Sequence, residues 1–402
     1  MPKNRSLLAV FLVVFIDLLG FGVVLPLLPY YANDYGANAA VTGLLVASYA
    51  AAQFIATPIL GRLSDRFGRR PILMVSIAGN VLGFVLLGMA QDLWLLFAAR
   101  ILAGLTGGNI SVAQAYITDV TTPKDRARAL GMIGAAFGLG FIIGPVSGGM
   151  LNELARAAPA YMAASLSLVN LLMVAFWLPE SLTADRRAEL AQSGRPELSL
   201  KALLGALHRP LVGPLLNARF WFALAFALFQ SVFSLYALYR FNLSPRETGF
   251  VLAYVGLLSV ITQGGLIRPL TERFSDRQLL LGATVGMAVG LLGWAVAPSV
   301  GALLGVLAPI AISGGVFNTV INSAISKAVP PVEVGGTLGI AASLESLTRV
   351  ISPSIGGLML SIANPALPGL VSSALLAALF LYLLNAVKKS HPAQVGVETM
   401  DR

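Results

Sequence analysis

GRLSDRFGRRP, residues 61–71, separates two apolar runs, TGLLVASYAAAQFIATPIL (42–60) and PILMVSIAGNVLGFVLLGMA (71–90). Each run is about 20 residues, the length an α-helix needs to cross the hydrocarbon core of a bilayer. The stretch between them therefore reads as a charged hairpin at a membrane surface, with Arg62, Arg66, Arg69 and Arg70 against a single anion, Asp65. Cationic loops stay on the cytoplasmic side, so that surface is expected to be the cytoplasm. Pro71 suits the first turn of the second helix, where its missing N–H leaves no bond unmade.

Composition carries the same message across all 402 residues. The chain is 57% hydrophobic and 11% charged, against about 25% charged in soluble domains. A polytopic membrane protein is the expected class. The net charge of +9 would suit nucleic acid, but the cations fall in loops, where topology accounts for them. There is no cysteine, so disulfide, zinc and thiol chemistry are not expected. With His208 and His391 as the two histidines, neither is a metal site. The start, MPKNRSLLAVFLVVF, mimics a secretory signal. Its apolar run continues to Tyr30 with no small-residue cleavage site, and it is read as a retained first helix.

Twelve apolar segments follow one another: 7–30, 42–60, 71–90, 94–117, 129–151, 160–178, 220–239, 248–267, 278–297, 300–322, 337–361 and 368–387. An even number puts both termini on one side. Of the 27 Lys and Arg, 21 fall in loops and tails on the side of the 61–71 stretch and three (Arg156, Arg240, Arg246) on the other. Arg100, Arg219 and Arg349 lie in or beside segments. That asymmetry predicts cytoplasmic termini.

Residues 180–219 divide the chain into a half of six segments (1–179) and a second half of six (220–402). This linker begins polar and turns amphipathic at LSLKALLGALHRPLVG, which reads as a surface helix. The halves repeat one another. TPKDRARALG (122–131) aligns with PPVEVGGTLG (330–339), Gly148 and Gly149 with Gly356 and Gly357, Pro145 with Pro353, and LSDRF (63–67) with LTERF (270–274). Matches at nearly one offset imply duplicated six-helix units related by an axis along the membrane normal.

The pattern Gly61-x-Leu-x-Asp65-Arg-x-Gly68-Arg69-Arg resembles the signature loop between helices 2 and 3 of the major facilitator superfamily. RILAGLTGGNISVAQAYITD (100–119) resembles that family's Arg-Gly motif of helix 4, and GAAFGLGFIIGPVSGGM (134–150) the Gly-Pro-Gly-Gly motif of helix 5 that marks its exporters. FIDLLGFGVVLPLLP (15–29) also matches the twelve-helix drug:proton antiporters, among them the tetracycline exporters. The resemblance covers the whole chain. It implies an all-α membrane fold of two pseudo-symmetric six-helix halves, with segments 3, 6, 9 and 12 as lipid-facing supports.

Ionisable residues inside a bilayer are costly and usually functional. Here they are Asp17 in segment 1, Arg100 in segment 4, and Glu345 and Arg349 in segment 11. None lies in the four segments that the resemblance assigns to lipid. At 1.5 Å per residue, Asp17 is roughly 15 Å deep and Arg100 roughly 10 Å deep from the opposite side. Apolar surroundings favour the protonated form of a carboxyl. With the resemblance, this makes Asp17 the expected proton site; the alternative is a structural Asp bonded to a neighbour. Glu345 and Arg349, spaced i, i+4, can pair with each other. They read equally as a self-neutralising pair or as a proton or substrate site. Arg100 leads a small or polar face (Gly104, Gly107, Gly108, Ser111, Gln114) and would either tune a nearby carboxylate or bind an anionic substrate; the resemblance favours the coupling role.

The resemblance implies that Asp65 caps a helix of the other half in a charge relay locking the outward-facing state, with Arg69 and Asp119 as partners. Gly335 and Gly336 would allow that approach. Gly138, Gly140, Gly144, Gly148 and Gly149 form a small-residue face around Pro145, expected to pack against the other half and to take part in gating. At the matching place in segment 11 the motif is degraded to Ser352-Pro353. Polar and aromatic residues at helical spacing supply candidate cavity positions: Tyr49 and Gln53, Asn109 and Gln114, Gln230 and Ser234, Tyr254 and Gln263, Asn318 and Asn322. Each serves equally well as glue between helices. Together they suggest a largely apolar pocket with a few hydrogen bonds.

The expectation is a secondary transporter of the bacterial cytoplasmic membrane, a monomer with a small-molecule substrate and no cofactor beyond the proton gradient. It would export small amphipathic compounds in exchange for protons. A sugar or metabolite exporter or symporter is the first alternative, because fold does not fix substrate. A tetracycline-type exporter is the second. The tetracycline exporters carry an acidic residue in helix 3, where this chain has Gly83, and another in helix 9, uncharged here, which argues against a metal-chelated substrate. An enzyme is not expected, since no histidine or cysteine falls within a segment.

Overall fold

A computed structural model describes residues 3–183, 205–330, 333–362 and 364–386. Most of the expected linker, with the start of its amphipathic run, lies outside the described residues. The described residues are helices and short connections. In the first half these are α1 (Lys3–Val24), α2 (Leu28–Asp34), α3 (Ala39–Phe67), α4 (Arg69–Gly88), α5 (Leu93–Leu105), α6 (Asn109–Val120), α7 (Pro123–Leu154) and α8 (Ala158–Trp177). In the second they are α9 (Gly213–Phe241), α10 (Pro245–Ile261), α11 (Ile267–Arg273), α12 (Asp276–Val296), α13 (Val300–Lys327), α14 (Val334–Ile362) and α15 (Leu367–Ala386). Eleven spans among the described residues are long and apolar enough to cross a membrane. The remaining segment, the eleventh, is α14, which has 29 residues but carries Glu345, Arg349 and several Ser and Thr that lower its apolarity.

Three segments differ from a single straight helix, each for a local reason. Segment 1 breaks at a 3₁₀ turn, Leu25–Leu27, between α1 and α2, where Pro26 and Pro29 remove backbone donors. Segment 4 breaks after Leu105, because Thr106-Gly107-Gly108 forms a turn. A Cβ at Gly108 would stand 2.5 Å from a Leu60 methyl, so the pair of glycines lets α3 come close. In segment 8 a π-helical turn, Thr262–Leu266, separates α10 from α11. The 61–71 stretch is tighter than a hairpin. Helix α3 runs through Phe67, Gly68 alone makes the corner at φ 107°, and α4 starts at Arg69. That backbone conformation favours glycine. Helix starts are capped by side chains: Asn38 accepts from the Val41 N–H, Asp92 from Leu95, and Ser244–Glu247 and Ser275–Gln278 form reciprocal boxes.

Buried apolar side chains form two clusters within residues 7–178 and a larger one over residues 206–383, which Ala39 joins. Large apolar residues stay exposed on the outside, among them Trp94, Leu154 and Phe176. Around a bilayer such faces meet lipid rather than water. Helix α4 packs on α5 and α8, and α12 on α13 and α15.

The two groups of helices meet along two seams, α3 against α14 and α7 against α10. At Gly43 a Cβ would stand 2.2 Å from the Pro353 carbonyl oxygen, and at Gly357 2.4 Å from that of Ala39. At Gly249 it would meet the Pro145 carbonyl at 2.3 Å. The degraded Ser352-Pro353 motif is thus still a point of close approach. Tyr30 closes the same end, its hydroxyl 2.6 Å from Thr248 Oγ1 and donating to the Leu243 carbonyl at 3.0 Å. Arg246 pairs with Glu153 at 3.2 Å there. At the opposite end, which carries the 61–71 stretch, Gly131, Gly134, Gly264, Gly265, Gly335, Gly336 and Gly339 have nothing within 4 Å of where a Cβ would stand. The halves touch at the end that carries Tyr30, Gly43 and Gly249.

The glycine face of α7 corrects the sequence reading. Gly140, Gly144 and Gly148 pack on Leu18, Gly22 and Val23 of α1, in the same half. Only Gly138, Pro145 and Gly149 meet the other half, at Val260, Gly249 and Arg246. The face divides because α1 and α10 flank α7, and each comes within backbone contact of it.

Candidate functional site

Two groups of residues stand out: a charge cluster at the 61–71 corner, and the charges lodged within the helices. At the corner, Arg69 is buried, 3% exposed. Its guanidinium reaches Asp65 at 2.6 Å, Asp119 at 3.0 Å and Ser64 Oγ at 2.7 Å. The i, i+4 relation of Asp65 and Arg69 survives the corner because Gly68 turns the chain within one residue. Glu180, which sequence reasoning passed over, accepts the Arg69 and Arg70 backbone N–H groups at 2.9 and 3.2 Å. It caps the start of α4, where a carboxylate also meets the positive end of the helix dipole. Ser181 donates to Asp119 at 3.0 Å. Gly61 lies inside α3 rather than in a loop. In this structure Asp65 pairs with Arg69 of its own half, and nothing stands within 4 Å of where a Cβ at Gly335 or Gly336, at the start of α14, would be.

Within the first half, Asp17 sits on α1 with its carboxylate accepting from Asn80 Nδ2 at 2.9 Å. Among the described residues it forms no ion pair. Asn80, on α4, is a lone amide in an apolar run, and that isolation was the available signal. Arg100 is 1% exposed, its guanidinium 5.7 Å from the ring centres of both Tyr49 and Phe84. Such contacts attract a cation to the ring face. Its Nε and Nη2 make no hydrogen bond, and among the described residues it has no carboxylate within ion-pair distance. The carboxylate partner that a coupling role suggested is therefore not in contact here. Gln53 Nε2 donates to Tyr49 Oη at 3.1 Å and to the Gly107 carbonyl at 2.7 Å, tying α3 to the broken fourth segment. Asn109 is buried at the start of α6, its Oδ1 accepting from the Ile110 N–H at 3.0 Å. Gln114 is exposed.

In the second half the charges are gathered. Glu345 Oε1 takes Arg349 Nη2 at 2.9 Å, as the spacing predicts. Its Oε2 takes Arg219 of α9, a partner that sequence reasoning left at the edge of a segment. Arg219 also donates to Asn318 Oδ1, which accepts from Asn322 at 3.4 Å. No short-range pattern could reveal this, since Arg219 and Glu345 are 126 residues apart. Arg349 lies on α14, the helix that packs on α3, which carries Tyr49. Gln230 and Gln263 are exposed, Tyr254 is half-buried and Ser234 is buried, with no contact to the charged groups among those described. Gly83 is closed off, a Cβ there standing 3.0 Å from Ala103 Cβ.

Set against known proteins, the profile of the Major Facilitator Superfamily matches residues 10–268 and 215–399. The chain is 34% identical to the tetracycline resistance protein, class C, of Escherichia coli over 362 residues, covering 88% of this chain and 89% of that one. It is 30% identical to the class E protein of the same organism over 98% of this chain and 96% of that one. Among solved structures, the human organic anion transporter MFSD10 (TETRAN) superposes with a TM-score of 0.70 at 22% identity, over 95% of this chain and 100% of that chain.

Proposed function

Since the chain belongs to the Major Facilitator Superfamily, we propose that it is a proton-driven exporter of small amphipathic compounds working by alternating access, with Asp17 as the proton carrier. It is a multi-pass membrane protein. The orientation we assign, from the distribution of Lys and Arg, puts both termini and the 61–71 corner in the cytoplasm of a bacterial inner membrane. The end where Tyr30, Gly43 and Gly249 join the halves then faces outward.

One observation carries the reading: the Asp17 carboxylate rests on a neutral amide rather than a cation. A carboxyl so held can gain or lose a proton without breaking an ion pair, which reversible coupling requires. Arg100, buried on two rings without a hydrogen-bonded anion, supplies positive charge that responds to the state of that carboxyl. Glu345, held by two guanidinium groups, is unsuited to the same task. Asp65, Arg69 and Asp119 form the corner relay, which engages the start of α14 when the inward end closes. We read the chain as a transporter and not an enzyme, working as a monomer and without a cofactor.

A second reading, tetracycline itself as the exported compound, is favoured by the full-length similarity to tetracycline resistance proteins. Proteoliposomes with a trapped pH-sensitive dye test both. Tetracycline, lipophilic cations and sugars are added in turn to wild type and Asp17→Asn. Proton movement driven by an amphipathic compound in wild type alone supports the proposal, and a response to tetracycline selects the second reading. Equal responses in both proteins remove Asp17 from the mechanism; a response to sugars alone overturns the substrate class. Asp65→Asn should abolish transport with protein level intact, and normal transport would sink the relay.

A further inference from the structure

We propose that the Arg219–Glu345–Arg349 knot, with Asn318 and Asn322 beside it, recognises an acidic group on the transported compound: a carboxylate, sulfonate or enolate on an apolar body. The inference rests on the exporter reading for its cavity and goes further by naming the chemistry of the cargo.

Donors and acceptors carry the argument. Each Glu345 oxygen already accepts from one guanidinium, and Asn318 Oδ1 accepts from Arg219 and Asn322. What remains unused is donors. Arg349 has five N–H groups and spends one nitrogen on Glu345. Two cations on one anion also leave the knot with a net positive charge. A ligand that completes it must bring acceptors and negative charge, and a guanidinium fork matches a carboxylate or sulfonate edge.

Exposure supplies the second argument. The Arg219 side chain is 10% exposed, while that of Arg349 is 59% exposed. Arg349 lies midway along a membrane-crossing helix, and a charge exposed at that depth faces water, not lipid. Gly335, Gly336 and Gly339, earlier on the same helix, have open space where a Cβ would stand. Phe21 and Tyr49, whose rings stand 5.6 Å apart, lie in the half that packs across the seam from α14. Glu345 is then a positioning residue that aims two guanidinium groups.

The test uses the full chain in nanodiscs and three fluorescent probes sharing one body: dansylglycine, its neutral amide, and a dansyl trimethylammonium. Wild type should bind the carboxylate at least about tenfold tighter than the amide, and the ammonium most weakly. Arg349→Gln should erase the carboxylate preference, weakening carboxylate binding far more than amide binding. Arg349→Lys keeps Glu345 paired but loses the fork, so its preference should fall several-fold; it carries the test if the glutamine variant does not fold. Equal binding of carboxylate and amide by wild type overturns the proposal, as does an unchanged preference in Arg349→Lys. Probe-driven proton movement is scored separately: its absence alongside a carboxylate preference counts against the exporter reading and leaves the site standing.

Discussion

The two halves hold their embedded charges in opposite ways. In the first, Asp17 and Arg100 stand apart, one on an amide and the other on two aromatic faces. In the second, three charges share one knot, with both oxygens of Glu345 occupied. Taking an ion out of water costs several kcal/mol unless partners restore what is lost. The knot meets that cost with ion pairs and so fixes its charges. The first half leaves it partly unmet, which keeps a change of protonation within reach. The contrast assigns switching to one half and holding to the other.

The sharpest way to break this comparison is to neutralise one carboxylate in each half. Glu345→Gln should lower stability by about 3 kcal/mol, because Arg219 loses its buried counter-charge. Asp17→Asn keeps its bond to Asn80 and should change stability by less than about 1 kcal/mol. Denaturant unfolding in detergent reads both, and equal losses would erase the distinction. The double variant Arg219→Gln/Glu345→Gln should recover most of the Glu345→Gln loss, since no unpaired charge then remains in that position.

Glycine contacts sharpen the comparison at the next level. Gly148 packs within one half, a Cβ there standing 2.2 Å from the Val23 carbonyl oxygen; Gly43 packs between the halves. Gly148→Ala should cost about 1–3 kcal/mol of stability. Gly43→Ala should instead prise the closed end apart, read as a longer distance between spin labels at Asn33→Cys and Asn364→Cys. The chain has no cysteine of its own to compete for the label. Tyr30→Phe removes the two hydrogen bonds of its hydroxyl, to Leu243 and Thr248, across the same end and should shift the balance of states by about 1–2 kcal/mol in the same distance measurement. The smallest effect is expected at Arg268–Glu272, whose side chains are 89% and 62% exposed. Glu272→Gln should move stability by less than about 0.5 kcal/mol.

Much of this was legible in the sequence. The order of the segments and the embedded charges Asp17, Arg100, Glu345 and Arg349 follow from apolar run length and from the rarity of ionised groups in a bilayer, whereas the hairpin expected over 61–71 narrows to a corner at Gly68 alone. The Glu345–Arg349 pair follows from helical spacing alone. Arg219, Asn80 and Glu180 did not, because each finds its partner through packing of helices far apart in the chain. The direction of the α7 glycines was half legible: small residues announce a close approach but not which neighbour makes it. The π turn left no readable mark, since TQGGL suits an α-helix about as well.

That turn has a consequence for anyone scanning the eighth span by mutation. An α-helix advances about 100° per residue, and Thr262–Leu266 inserts one extra residue into the ladder. A helical wheel drawn from Pro245 therefore holds to Ile261 and is out of phase by one position from Ile267 onward. Arg268, Thr271 and Glu272 face roughly a quarter-turn away from where that wheel puts them, so sensitivity along the span must be read as two phased runs rather than one.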